Sequence, residues 1–315
     1  MALQLPILIV ITPLIGSFII FIVCWWFKNV GYTLAVAAMT ICLISSIAIM
    51  YSIIANGPIS YWLGGWQPPW GIEYRIDHLN AIMLVLISAI GLLAAVHSKH
   101  SVKRELSRKA VLHWCLFLLM ITGLLGICAT GDLFNLFVLI EVASLSGYAL
   151  IAMGEDKALY ASFRYIVIGT IGASFYLLGV GYLYMATGSL NMADLALLLP
   201  NLYHSKMILV GFVFILLGLS VKMALFPLHA WLPDAYAYAP SAVSSAVAPL
   251  MTKVMAYVII RIMFTVFKPD FPVLVIRVTD LMVWFGTAAI LFGAVMALSQ
   301  NDYKRMLSYV IIAEI

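Results

Sequence analysis

The chain has 315 residues, 65% of them hydrophobic and 10% charged, against roughly a quarter charged in an ordinary soluble domain. A soluble fold of this size has no interior large enough for so much apolar surface, so composition excludes a water-soluble globule and makes lipid the solvent for most of the chain. The formal charge of +4 comes without a basic stripe interleaved with aromatics, which argues against a nucleic-acid surface. The bases sit mostly between apolar runs, where they set membrane topology.

In chain order, nine runs reach the ~20 apolar residues that a helix needs to cross a bilayer: about 5–27, 31–55, 78–97, 111–129, 132–153, 161–187, 207–226, 243–264 and 274–299. The runs are continuous and about twice the length of an alternating barrel strand, so the expected fold is an all-α, polytopic helix bundle. The first run has no basic segment before it and is followed by Lys28, so it reads as a retained helix rather than a cleaved signal. A tenth run starts near Met306 and meets the last residue, Ile315, after about half a span, which reads as a piece of a longer protein.

With the N-terminus outside, one side of the membrane holds Lys28, Lys99, Lys103, Arg104, Arg108, Lys109, Lys157, Arg164, Lys304 and Arg305, five of them in KHSVKRELSRK. The other side holds Arg75, Lys206, Arg261, Lys268 and Arg277. That bias places the first set in the cytoplasm. The loop YWLGGWQPPWGIEY then lies outside, with Trp62, Trp66 and Trp70 suited to an interfacial aromatic belt. Cys24, Cys42, Cys115 and Cys128 lie in apolar runs without CxxC spacing, and read as buried free thiols. No mid-membrane histidine pair, cysteine cluster or phosphate-cradling loop is evident, so neither a cofactor nor a metal is expected in this chain.

Three charges sit in the middle of apolar runs: Glu141, Lys222 and Lys253. Each costs about 2.5–3.5 kcal/mol at a helix centre. Such groups are tolerated when they face the bundle interior, pair with one another and meet water. Burial makes any lysine readier to release its proton, and a nearby carboxylate opposes the release. A lysine whose carboxylate partner approaches and retreats is therefore a proton site with two affinities. The competing explanation is a static ion pair that fixes helix packing. Ser144 and Tyr148 lie at i+3 and i+7 from Glu141, on one helical face. Next to Lys222, Pro227 continues the apolar pattern directly after the seventh run and removes a backbone donor, which breaks the helix there. His229 is seven residues beyond Lys222 and could relay a proton or cap the broken turn.

Other charges read as structural. WLPDAYAYAPSA is expected to be a re-entrant turn with Asp234 as a cap. Asp132 is a helix N-terminal charge, and Asp280 and Arg261 are placed to snorkel. Arg164 can pair with Glu155 or Asp156, and Glu314 falls mid-membrane if its helix continues.

The stretches LFVLIEVASLSGYALIA, VKMALFPLHAWLPDAYAYAPSAVSSAVAPLMTKVMAYVIIR and QNDYKRMLSYV resemble the antiporter-like membrane subunits shared by respiratory complex I, Mrp-type Na⁺/H⁺ antiporters and membrane-bound hydrogenases. The loop GGWQPPWGIEYRIDHLNAIM looks most like the D-type subunit of Mrp antiporters and its hydrogenase counterparts. The KxxLFPLHxWLPDAY run is the most specific element. The resemblance implies about fourteen helices with two inverted five-helix repeats, each forming half of a proton path. On this reading 1–110 are the first three helices, 111–264 the first repeat, and 265–315 the start of an incomplete second, whose outward half-channel is missing. It matches Glu141 to the family's fifth-helix glutamate, Lys222 to the lysine of the broken seventh helix, and Lys253 to the eighth-helix lysine. It implies other membrane subunits as partners, protons and possibly Na⁺ as the ions, and the plasma membrane of a prokaryote. The alternatives are a cation/proton antiporter without redox partners and a purely structural subunit.

Overall fold

The computed structural model describes residues 4–27 and 30–315; Lys28, used above for topology, lies outside them. The elements are α1 (Leu5–Val23), α2 (Gly31–Asn56), β1 (Ile59–Trp62), β2 (Glu73–Ile76), α3 (His78–Glu105), α4 (Ala110–Ala129), α5 (Leu133–Ile151), α6 (Ala158–Thr187), α7 (Met192–Leu198), α8 (Lys206–Met223), α9 (Leu232–Tyr238), α10 (Ser241–Arg261), α11 (Val278–Leu298) and α12 (Tyr303–Glu314). Among the described residues, nine helices are long and apolar enough to cross a membrane. The protein is an all-α polytopic membrane bundle. Helix α4 is mostly buried between α1, α3 and α5, whereas α11 lies at the periphery.

Several boundaries differ from the sequence expectation. The seventh run ends at Met223, before Pro227. Proline offers no N–H to the carbonyl of Met223 and disfavours helical geometry at Phe226, so the chain leaves the helix early, with Ala224 left-handed at φ 63°. The WLPDAYAYAPSA segment is the short helix α9 rather than a turn, with Pro233 in its first turn. Helix α12 starts at Tyr303, capped by Asp302. Residues 262–266 and 270–275, between α10 and α11, widen into π-helical turns.

The Trp-rich loop is a β-hairpin, pairing Ile59 with Ile76 and Trp62 with Glu73, with Trp66 and Trp70 exposed. It is stitched into the helix ends beneath it. Gly131 N–H donates to Glu73 O, Met192 N–H to Gly131 O and Leu133 N–H to Leu190 O. Buried Glu73 accepts from Asn191 Nδ2 at 2.9 Å and from Ser60. Asn80 donates to the carbonyls of Arg75 and Cys128. The hairpin marks one end of the bundle, and the 99–109 basic segment marks the other.

Helices α6 and α8 touch backbone to backbone. A Cβ added at Gly218 would come 2.5 Å from Gly172 O and 2.6 Å from Tyr176 N; one at Gly179 would come 2.6 Å from Gly211 O. Small residues of this kind let membrane helices approach closely. Gly218→Val is therefore expected to destabilise the protein by about 2–3 kcal/mol, read as a lower unfolding temperature in detergent.

Candidate functional site

Lys222 lies one residue from the end of α8, and its side chain is 3% exposed. Its Nζ donates to Glu141 Oε1 at 2.9 Å, to Ser144 Oγ at 2.9 Å and to Tyr148 Oη at 3.3 Å. The three acceptors come from one face of α5, where i, i+3 and i+7 align. The ammonium has three donor positions, and all three are used. The close α6–α8 seam brings Lys222 against α5: Gly169 of α6 faces the Tyr148 hydroxyl, and a Cβ there would collide with it.

The break in α8 is satisfied locally. Leu225 N–H donates to Ser220 O, and the Trp231 indole donates to Val221 O at 3.0 Å. These bonds supply the carbonyls that a continuing helix would have served. Trp231 is buried and lies parallel to Tyr165, with ring centroids 3.8 Å apart and planes 4° apart. Tyr165 in turn meets Tyr148 edge-on at 4.4 Å.

The three intramembrane charges do not form one cluster. Lys253 pairs with Glu314 of α12 at 3.4 Å and is partly exposed. His229 stacks on Phe226 and sits 4.9 Å from Phe292, with a buried Nδ1 that has no hydrogen-bond partner among the described residues. It makes no hydrogen bond to Lys222, so a direct relay between the two is not built into this conformation.

Other charges depart from expectation. Arg164 reaches Asp234 at 3.2 Å rather than Glu155 or Asp156. Asp234 also accepts from Arg305 at 2.7 Å, so it is an ion-pair partner rather than a backbone cap, and Arg305 is more than a topological charge. Arg261 does not snorkel. It grips both oxygens of Asp77, at 2.6 and 2.9 Å, and its Nε donates to Tyr257 Oη. Burial pushes the Asp77 carboxyl up, but the Arg261 guanidinium and two backbone N–H groups outweigh it and hold the acid below its ordinary range. Asp132 caps α5, accepting from Asn135 N–H at 2.7 Å. The Asp77–Arg261 pair was not anticipated, although Asp77 and Asn80 have the spacing of a capping box, which they form.

The sequence matches the family described as NADH:quinone oxidoreductase/Mrp antiporter, TM, over residues 130–315. The chain belongs to this family. It is 46% identical to NADH-quinone oxidoreductase subunit N of Desulforudis audaxviator, across all of this chain and 63% of that protein. It is 32% identical to the D-type subunit of the Na⁺/H⁺ antiporter of Bacillus subtilis, across 89% of this chain and 56% of that one. A solved archaeal respiratory complex, the membrane-bound sulfane sulfur reductase, holds a chain with TM-score 0.90 and 34% identity, covering 99% of this chain and 63% of that one. A chain of the Mrp complex from Dietzia shares the fold, with TM-score 0.87 at 24% identity, over 99% of this chain and 57% of that one. The chain thus spans less than two thirds of the length of these relatives.

Proposed function

We propose that this chain supplies the first proton-conducting half of an antiporter-like membrane subunit, working within a multisubunit complex in a prokaryotic plasma membrane. Its N-terminus is placed outside and the basic-segment end in the cytoplasm. Residues 111–264 form the conducting repeat, with Glu141 and Lys222 as its exchange pair. Ser144 and Tyr148 hold the pair in place, and Pro227 sets the break beside it. Lys253 is the onward site, and His229 joins once the loop moves.

The reading is carried by Lys222: a cation buried in an apolar bundle, with a carboxylate and two hydroxyls converging on it. Intramembrane ionisable groups with named partners are functional groups by default. The oxidoreductase and sulfur-reductase relatives favour a proton pump driven by electron flow; the Na⁺/H⁺ antiporter relatives favour Na⁺ or K⁺ exchange for protons.

The complex purified with this chain and reconstituted into vesicles tests both. Electron flow through copurified redox subunits is expected to acidify the lumen. Collapse of an imposed pH gradient on Na⁺ addition, without redox subunits, would establish exchange instead. An assembled complex giving neither response overturns both.

A further inference from the structure

The segment following the break in α8 is held by charges from two sides. Asp234, in the first turn of α9, accepts from Arg164 of α6 at 3.2 Å and from Arg305 of α12 at 2.7 Å. The neighbouring Lys304 donates to Ala239 O at the far end of α9, at 2.9 Å. The first turn of α12 therefore grips both ends of α9. All three ion-pairing side chains of the Asp234 cluster are partly buried, where salt screens them less than surface pairs.

The same anchor leads to Lys222 through packed rings. Arg164 is the chain neighbour of Tyr165, and Asp234 lies three residues beyond Trp231. Tyr165 and Trp231 stack on each other. Trp231 holds the carbonyl of Val221, next to Lys222, and Tyr165 abuts Tyr148, a hydrogen-bond partner of Lys222. In the other direction, α12 carries Glu314, nine residues beyond Arg305, which is paired with Lys253.

We infer that Asp234 is a positioning residue. By sharing its carboxylate between Arg164 and Arg305, it ties the geometry around Lys222 to the position of α12. A carboxylate has two oxygens and about four acceptor sites, so it holds both arms at once. A shift of α12 would release the Arg305 arm and leave the Arg164 arm in place. The inference rests on the role proposed for Lys222.

The test uses the intact complex in vesicles. Asp234→Asn keeps the shape and removes the charge. It is expected to lower proton transport about tenfold and to displace its pH optimum, at unchanged assembly. Asp234→Glu is expected to restore about half of the rate or more. Arg305→Gln should give a similar loss, and the double variant Asp234→Asn/Arg305→Gln should be no worse than Asp234→Asn, since both remove one connection. Wild-type transport in an assembled Asp234→Asn complex would overturn the inference, as would losses that multiply in the double variant. If Asp234→Asn fails to assemble, Arg305→Gln decides alone: a tenfold loss supports the inference and wild-type transport overturns it. Lys222→Ala in the same assay separates the two readings. Normal transport there overturns the role of Lys222, whereas its loss beside normal Asp234→Asn transport overturns only the positioning role.

Discussion

Proton transport is expected to fall about a hundredfold or more when Lys222 is replaced by Ala, with the complex still assembled. The substitution removes the only ammonium that meets Glu141, Ser144 and Tyr148 among the described residues. It also leaves Glu141 without its cation, a change that costs roughly 3–5 kcal/mol when such a pair is fully buried. Glu141 is 23% exposed on its side chain, so the penalty here is smaller and compatible with folding. Lys222→Arg separates proton transfer from packing. Arginine keeps a cation beside Glu141 but holds its proton at any physiological pH. It is expected to assemble and to transport no better than Lys222→Ala. Vesicle acidification at the wild-type rate in Lys222→Arg would make the pair a packing device.

Glu141→Gln is the second large effect, expected at about tenfold to a hundredfold, with Asp132→Asn close to wild type. The two acids are both on α5, and the structure gives them different work. Glu141 faces Lys222, and glutamine in its place can still accept a hydrogen bond but no longer draws or releases a proton. Asp132 caps the helix start, a task that asparagine performs about as well. The same acidification assay compares them. A larger loss in Asp132→Asn than in Glu141→Gln would mean that the acid carrying the proton lies at the hairpin end.

The helix bundle was legible because lipid imposes a length and an apolarity on every span, and α2, α4 and α5 match their expected runs within a few residues. The polar face of α5 was legible for the same reason: an i, i+3, i+7 row is fixed by the helix itself. The Glu141–Lys222 pair, 81 residues apart, was expected from the cost of burying each charge alone, but other partners distant in sequence were missed. Arg164 and Asp234 are seventy residues apart, Asp77 and Arg261 are 184 apart, and nothing local announces either pair. Lys253 read as one of three charges gathered in the bundle interior, yet it turns toward α12, because helical periodicity gives a side chain's angle and not its neighbour. The hairpin was hidden by its tryptophans, which suit a membrane interface equally well as an irregular loop.

The stitched hairpin has an electrical consequence. Lys222 lies sixteen residues from the start of α8, about 24 Å of helix, and the hairpin closes that same end over α4 and α5. This stretch is apolar and carries no charge between Lys206 and Lys222. A charge that crosses it along the membrane normal works against its share of the transmembrane voltage, about 2.3 kcal/mol for each full 100 mV. On the proposed path, a proton that enters Lys222 from the opposite face meets this stretch only on leaving toward the hairpin, so the electrical work of crossing it would belong to that second step.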